Sequence, residues 1–489
     1  MRACALSLCV LACGAAWGED KPAAKKAPVA LDVRPAEWRG DFDGMLERRV
    51  IRVTVPHSRS LYFNDRGRQR GMTADLLEEF ERWLNRRYGK GGRVFTLQVF
   101  PVARDELLPR LYAGHADIAA GNLTITAARE RNVDFSTPIA EGVKEIVVTG
   151  PGIAAPADLE GLAGLEIHVR SASSAYESLV ALDRRLRAAG KARLRLQVAP
   201  AALEDEDLLD MLNAGLLTAV VVDDWKARLW APVLPQTKAH PALAVREGAS
   251  VGWALREGTP QLKRVVDGFL REAARGPLSA KRSLADYELR YRALRNPTLP
   301  PEWHKLERSM ALFRKYGARY HFDPLMLAAQ AYQESRLDQK AVSRAGAIGL
   351  MQVLPATGAA MKVGDIRQPE ANVHAGTKYM RHILDRHFRD ADFSEQDRNL
   401  FAFASYNAGP TRIAQMRGLA AKQGLDPDRW FNNVEIVAGA RIGQEPVRYV
   451  RNIYKYYTAY RLQTDLLARR TAQGNELRRD LAPEEKKAP

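Results

Sequence analysis

From Arg49 the chain reads RVIRVTVP, a β-branched, apolar run suited to a buried strand. The following stretch, Ala74 to Leu84 (ADLLEEFERWL), places its apolar residues at helical spacing. Strand-like and helix-like segments then alternate: FTLQVFPV, DELLPRLYAG, DIAAGNLTI, EIVVTG, LEIHVR, AYESLVALDRRLRAAG, LRLQVAP and TAVVVDD. The alternation predicts an α/β domain with largely parallel sheets over 45–272. A linker is expected over 273–301, with a basic helical connector at roughly 278–295 and a break at NPTLPP, 296–301. Beyond it the period stays helical to Leu467, which predicts a mainly α domain over 302–467. The charged, apolar-poor end, 468–489, is expected to be a disordered tail.

Composition changes this picture little. A chain of 489 residues has room for two to four domains at roughly 150 residues each. With 46% hydrophobic and 27% charged residues, disordered and fibrous classes are excluded. Outside the N-terminus no apolar run approaches the roughly 20 residues of a membrane span.

The N-terminus adds a compartment. All three cysteines, Cys4, Cys9 and Cys13, lie in MRACALSLCVLACGAAWGED. The rest of the chain therefore has no disulfide, thiolate metal site or cysteine nucleophile. Arg2, a short apolar stretch and small residues have the order of an export signal over 1–18. An Ala-, Lys- and Pro-rich tether is expected over 19–44. Val10-Leu11-Ala12-Cys13 also resembles a lipobox, so anchorage through Cys13 and release by cleavage after Gly18 both stay open. The formal net charge of +16 is shared almost evenly between the two halves. It suits attraction to an anionic polymer or surface. No nucleic-acid-binding motif accompanies it, which leaves wall polymer or lipid.

The sharpest chemistry surrounds Glu334. Asp323-Pro324 supplies an N-cap and a first-turn proline for LMLAAQAYQES. Leu327, Ala331 and Glu334 then share one helical face. A carboxyl on an apolar face holds its proton to higher pH, as a general acid requires. On spacing alone a glutamate turned to solvent at the helix end is the favoured reading.

Further blocks follow: Glu334-Ser335, Ser343, GAIGLMQVLPATG at 346–358, NVHAGTKYM at 372–380, ASYNAGPTRI at 404–413, and Glu445 in EPVRYVRNIYKYY. Together they resemble the SLT family of lytic transglycosylases, which share the goose-type lysozyme fold. The resemblance implies that Glu334 is the catalytic acid and base, with Ser343, Gln352, Tyr406, Asn407 and Glu445 lining a saccharide cleft. It implies cleavage between N-acetylmuramic acid and N-acetylglucosamine of peptidoglycan, giving a 1,6-anhydromuramyl end without water, metal or cofactor. Asp338, the nearest second carboxyl, has no role in the family pattern. Asn372 reads equally as a structural cap or as a ligand contact, and is left out of the site. The tyrosines at 449, 454, 456 and 457 read as core.

The α/β half carries a second resemblance. GMTADL at 71–76 and DIAAGNLTITAARERNVDFSTP at 117–138 look like periplasmic amino-acid-binding proteins. The implied fold is two α/β lobes around a ligand cleft. Arg129 would clamp a carboxylate, with Thr124, Ser173 and Ser174 nearby and Asp223, or its neighbour Asp224, taking an amino group. Such a module ahead of an SLT module resembles the layout of membrane-bound lytic transglycosylases. That layout implies a periplasmic enzyme on the inner leaflet of the outer membrane, with an amino acid or muropeptide as effector. A lysozyme-like hydrolase and a wall-docked receptor without catalysis are the competing readings.

Overall fold

The computed structural model of the protein describes residues 37–65, 67–89, 94–274 and 295–480. The export signal with its cysteines, and nearly all of the basic connector, lie outside the described residues.

Alternating strands and helices build a nine-stranded sheet. The strands are β1 (Val50–Pro56), β4 (Thr96–Val102), β5 (Ile118–Thr124), β6 (Val133–Phe135), β7 (Ala140–Thr149), β8 (Glu166–Val169), β9 (Arg195–Val198), β10 (Ala219–Asp223) and β11 (Lys238–Arg256). β2 (Phe63–Asp65) and β3 (Arg68–Arg70) form a separate hairpin. The sheet order is β4-β1-β5-β11-β7-β10-β8-β9, with β6 on β11. Parallel pairing holds within each lobe, β1 with β4 and β5, and β8 with β9 and β10.

The centre departs from the parallel expectation. β7 and β11 run antiparallel to each other and to all their other neighbours. β11 meets β5 and β6 at its far end and β7 along most of its length, so this pair joins the two lobes. The sequence of β11, KAHPALAVREGASVGWALR, hides its length behind Pro241 and Gly248, where its register against β7 repeatedly shifts.

The ends of the segments also moved. Residues 41–49, partly assigned to the tether, contain a helix (Phe42–Arg48) that buries Phe42 and Met45 in the first lobe. Arg48 lies 3.6 Å over the Trp38 ring beside it. Three large apolar residues in eight positions outweigh the flexible composition before them.

The second half is helical, and five of its helices open on proline: Pro300–Tyr320, Pro324–Ser335, Pro355–Met361, Pro369–His387 and Pro410–Lys422. A first-turn proline costs no hydrogen bond because that N–H has no helical partner. Glu395–Ala408 ends at Gly409, whose φ of 91° suits glycine, and Pro410 starts the next helix. The last helix, Gln444–Asp480, continues past Leu467 into the stretch expected to be disordered. That stretch is rich in Ala, Leu, Arg, Gln and Glu, which favour helix without needing a core.

The halves share one apolar core. Leu209, Leu212 and Trp230 of the second lobe belong to the same cluster as Phe313, Leu327 and Tyr460 of the helical domain. Ions cross the seam too. Asp207 lies 3.2 Å from Arg451 and 3.0 Å from Lys455, and Arg451 is 2.6 Å from Glu435, all of them buried.

Candidate active site

Helix Pro324–Ser335 is buried on every side over Met326–Tyr332, so it runs through the domain and not along its surface. The Asp323 carboxylate caps it, accepting from Leu325 N at 2.7 Å and Met326 N at 3.3 Å. Leu327 and Ala331 are fully buried, and Glu334, next on their face, is half-buried at the helix end. Burial pushes the Glu334 carboxyl up to about 7, and a hydrogen bond from the Tyr449 hydroxyl draws it back part of the way. Among the described residues no charged neighbour contributes to that shift. Asp338 is exposed, with its carboxylate accepting from Lys340 N at 2.9 Å.

Tyr449 was read as core. Its ring is indeed buried in the core, and its hydroxyl adds a role the spacing did not show, donating to Glu334 and accepting from Gln330 Nε2 at 3.4 Å. It sits one turn beyond Glu445 on the same face of the last helix, a spacing that was visible in EPVRY.

The other predicted residues gather around this pair. The Tyr406 hydroxyl donates to Met351 O at 2.8 Å. Burial raises its pKa well above the usual tyrosine value, and the nearby Glu334 raises it further. Asn407 Nδ2 donates to Glu445 Oε1 at 3.2 Å, while its buried Oδ1 has no partner among the described residues. Gln352 has a φ of 48°, and its amide donates to Ala341 O and Gly349 O, both at 3.1 Å. The Ser343 hydroxyl accepts from Ala347 N at 3.0 Å, closing a turn against the Ile348 strand bridge.

Asn372 holds this loop from behind. Its Oδ1 accepts from Met351 N at 2.9 Å, and its Nδ2 donates to Ile348 O at 2.8 Å and Ile366 O at 3.0 Å. A Cβ on Gly349, whose φ is 79°, would lie 2.5 Å from that amide nitrogen. The structural reading of Asn372 and the turn reading of Gly349 therefore both describe what is seen.

In the α/β half, Thr124, Arg129, Ser173, Ser174 and Asp223 all line one cleft between the lobes. The Ser174 hydroxyl reaches across to Thr124 Oγ1 at 2.8 Å. Ser173 caps helix Ser174–Ala188, accepting from Tyr176 N at 3.1 Å. Arg129 is 3.1 Å from Glu177, and Asp223 is 3.1 Å from Lys226. Asp224 turns away to Arg228 at 2.5 Å, so of these two neighbours it is Asp223 that lines the cleft, beside Asp205.

Comparison with known proteins agrees with both halves. Residues 311–427 match the transglycosylase SLT domain, and residues 51–278 match bacterial extracellular solute-binding proteins, family 3. The chain carries a transglycosylase SLT domain behind a solute-binding domain. It is similar, at 28% identity, to the membrane-bound lytic murein transglycosylase F of Ectopseudomonas mendocina (strain ymp), over 83% of each chain. The protein of that name from Pseudomonas fluorescens (strain Pf0-1) is 26% identical over 92% of this chain and 96% of its own. That from Desulfosudis oleivorans is 29% identical over 74% and 81%. The matched SLT segment ends before Glu445 and Tyr449, so those two rest on the geometry alone.

Proposed function

We propose that Glu334 cleaves peptidoglycan by acting first as acid and then as base. The carboxyl gives its proton to the glycosidic oxygen linking N-acetylmuramic acid to N-acetylglucosamine, and the C1–O bond breaks. Positive charge at C1 is met by the acetamido oxygen of the same sugar. Glu334, now a carboxylate, takes the proton of the C6 hydroxyl as that oxygen bonds to C1. The product is a 1,6-anhydro ring, and the enzyme ends protonated as it began.

One observation carries this reading: burial holds the Glu334 carboxyl near pKa 7, opposed only by the hydrogen bond from Tyr449 among the described residues. Hydrolases of the two-carboxylate type need a second acid about 5–9 Å away to attack or to activate water. Asp338 spends its carboxylate on its own turn, and the Glu445 carboxylate accepts from Asn407 Nδ2 at 3.2 Å. Tyr449 supports the two-stage role, since a hydroxyl donor eases Glu334 into its anionic stage without trapping it there. Ser343, Gln352, Tyr406, Asn407 and Glu445 are proposed to hold the saccharide.

The α/β cleft is proposed to sense a small carboxylate-bearing ligand, an amino acid or muropeptide, and to report its occupancy to Glu334. What supports the coupling is the short path along one helix. Arg451 and Lys455 hold Asp207 of the second lobe, and Tyr449, which holds Glu334, lies two residues from Arg451. The relatives' names and the N-terminal signal pattern support a periplasmic place at the outer membrane. Among the described residues no helix is long and apolar enough to cross a membrane.

The test is release of soluble fragments from purified sacculi by the parent and by Glu334→Gln, with products identified by mass spectrometry. Anhydromuramyl fragments from the parent and none from the variant are expected. Equal release by both proteins would remove Glu334 from the mechanism.

A further inference from the structure

A pocket of about 340 Å³ opens on the helical domain, away from the residues around Glu334. Its floor is Leu384, Phe388 and Phe393, and its walls carry Arg381, Arg389 and Arg398. The floor is fixed by stacking, with the Phe393 ring 5.7 Å from Phe388 and 4.3 Å from Phe401, centre to centre. His321, also on the wall, ends helix Pro300–Tyr320 and stands two residues before the Asp323 cap. Glu334 lies at the other end of the helix that Asp323 opens, roughly 16 Å along its axis at 1.5 Å per residue. The pocket is therefore separate from the saccharide cleft.

How its charges are met shows what is missing. Arg381 is neutralised, its guanidinium meeting the two oxygens of Asp385 at 2.5 and 3.0 Å. Arg389 gives Nε to Asp385 O at 2.6 Å and meets no carboxylate among the described residues. The half-buried Arg398 side chain has no hydrogen-bond or ion-pair partner among them. Glu395, one turn earlier on the same helix, is exposed and makes no ion pair with it. Two guanidiniums thus border an apolar floor without an acid of their own. Each offers a planar pair of donors that matches a carboxylate, and the pairing strengthens where phenyl rings displace water. The surroundings select among anions. Asp392, between the wall residues Ala391 and Phe393, is exposed, as is Glu395. These acids repel an extended anionic surface such as a membrane, whereas a single carboxylate inside the pocket meets the arginines first.

We propose that this pocket is a second wall-binding site, holding a carboxylate of a peptidoglycan stem peptide between Arg389 and Arg398. The peptides that hang from the glycan carry carboxylates beside alanine methyl groups. That is the combination of charge and small apolar surface that the arginines and the phenyl floor accept. Because the pocket lies across the domain from Glu334, the peptide it holds belongs to a neighbouring strand, and the contact keeps the enzyme on the wall between cuts. The inference rests on peptidoglycan as the substrate and adds a docking point outside the cleft.

The experiment is co-sedimentation of the full-length protein with purified sacculi, every protein carrying Glu334→Gln so that the wall is not consumed. Adding Arg389→Gln and Arg398→Gln together is expected to weaken binding about tenfold, the worth of a charge-assisted hydrogen bond. Arg308→Gln with Arg314→Gln, two exposed positions on helix Pro300–Tyr320, removes the same charge and is expected to change binding little. On sacculi stripped of their peptides by an amidase, the pocket variant and its parent should bind alike. Equal binding of the two to intact sacculi overturns the proposal, and so does equal weakening by both double variants. A defect that persists on stripped sacculi, or that appears on phosphatidylglycerol vesicles and not on sacculi, overturns it in favour of a glycan or a lipid site. Fragment release by the same proteins with Glu334 restored keeps the two readings apart: a parent that binds through the pocket but releases nothing defeats the cleavage reading alone.

Discussion

The hydroxyl of Tyr449 donates to the carboxyl of Glu334, joining the last helix of the chain to the end of the helix that crosses the catalytic domain. Two opposed influences meet at that carboxyl. Burial favours its neutral form and the hydrogen bond favours its anion, with burial the larger. A group that must give a proton and then take one back is served by this balance.

Activity should follow the protonation of Glu334. The acid form is needed for the first step, so the rate should fall on the alkaline side with an apparent pKa of about 7. Glu334→Gln should cost about 10³-fold in rate, within the range seen for loss of a general acid. Initial rates of fragment release between pH 5 and 9 check both.

Stability should carry the opposite mark. The folded protein holds the Glu334 proton up to about pH 7, whereas the unfolded chain loses it near 4.5. Stability therefore falls as pH rises from 4.5 to 7 and stays reduced above that. Glu334→Gln removes the penalty, so the variant should melt higher than the parent at pH 8 and close to it at pH 4. Thermal melts at the two pH values are sufficient.

Among the described residues, Tyr449→Phe removes the only bond that favours the Glu334 anion. The alkaline limb should move to higher pH, and the optimal rate should fall by roughly tenfold, the worth of one charge-assisted hydrogen bond. A rate loss with the limb unmoved would give Tyr449 a packing role only.

Asn372→Ala should damage fold and activity together. It leaves Met351 N without its acceptor and unpins Ile348 and Ile366, for a loss of about 3 kcal/mol. Urea unfolding reads the stability. The accompanying rate loss should appear mainly in KM, because the loop holding Gln352 loosens while Glu334 keeps its own support.

Lys455→Met should uncouple the halves. Asp207, held below the usual carboxylate range by Lys455, Arg59 and Arg451 against the effect of burial, would lose a buried partner. The cost should be about 3 kcal/mol. The contribution of Asp207 is present above the unfolded carboxylate pKa near 4 and fades as pH falls below it. In calorimetry the parent should show the second lobe and the helical domain melting together, and the variant should broaden or split that transition.

Much of this was legible in the residues. The Asp323-Pro324 cap, the face shared by Leu327, Ala331 and Glu334, and the Gly409-Pro410 break are local rules that the chain obeys. What stayed hidden depends on contacts between distant segments. β11 is irregular in sequence because it serves two lobes, so no single period runs through it. Tyr449 looked like its neighbours Tyr454 and Tyr456, and only the approach of the last helix to Glu334 distinguishes it. Arg129 was legible as a carboxylate clamp, but neither Glu177 on it nor Lys226 on Asp223 follows from any spacing. The seam ions, Asp207 with Arg451 and Lys455, join residues nearly 250 positions apart.

The central claim is that one carboxyl does both steps and water does not enter the product. Digestion of purified sacculi in water enriched in oxygen-18 tests it directly. The account predicts 1,6-anhydromuramyl ends with no heavy oxygen gained on cleavage. Reducing ends that each carry one oxygen-18 would contradict it, and would require a second carboxylate or a water site beside Glu334.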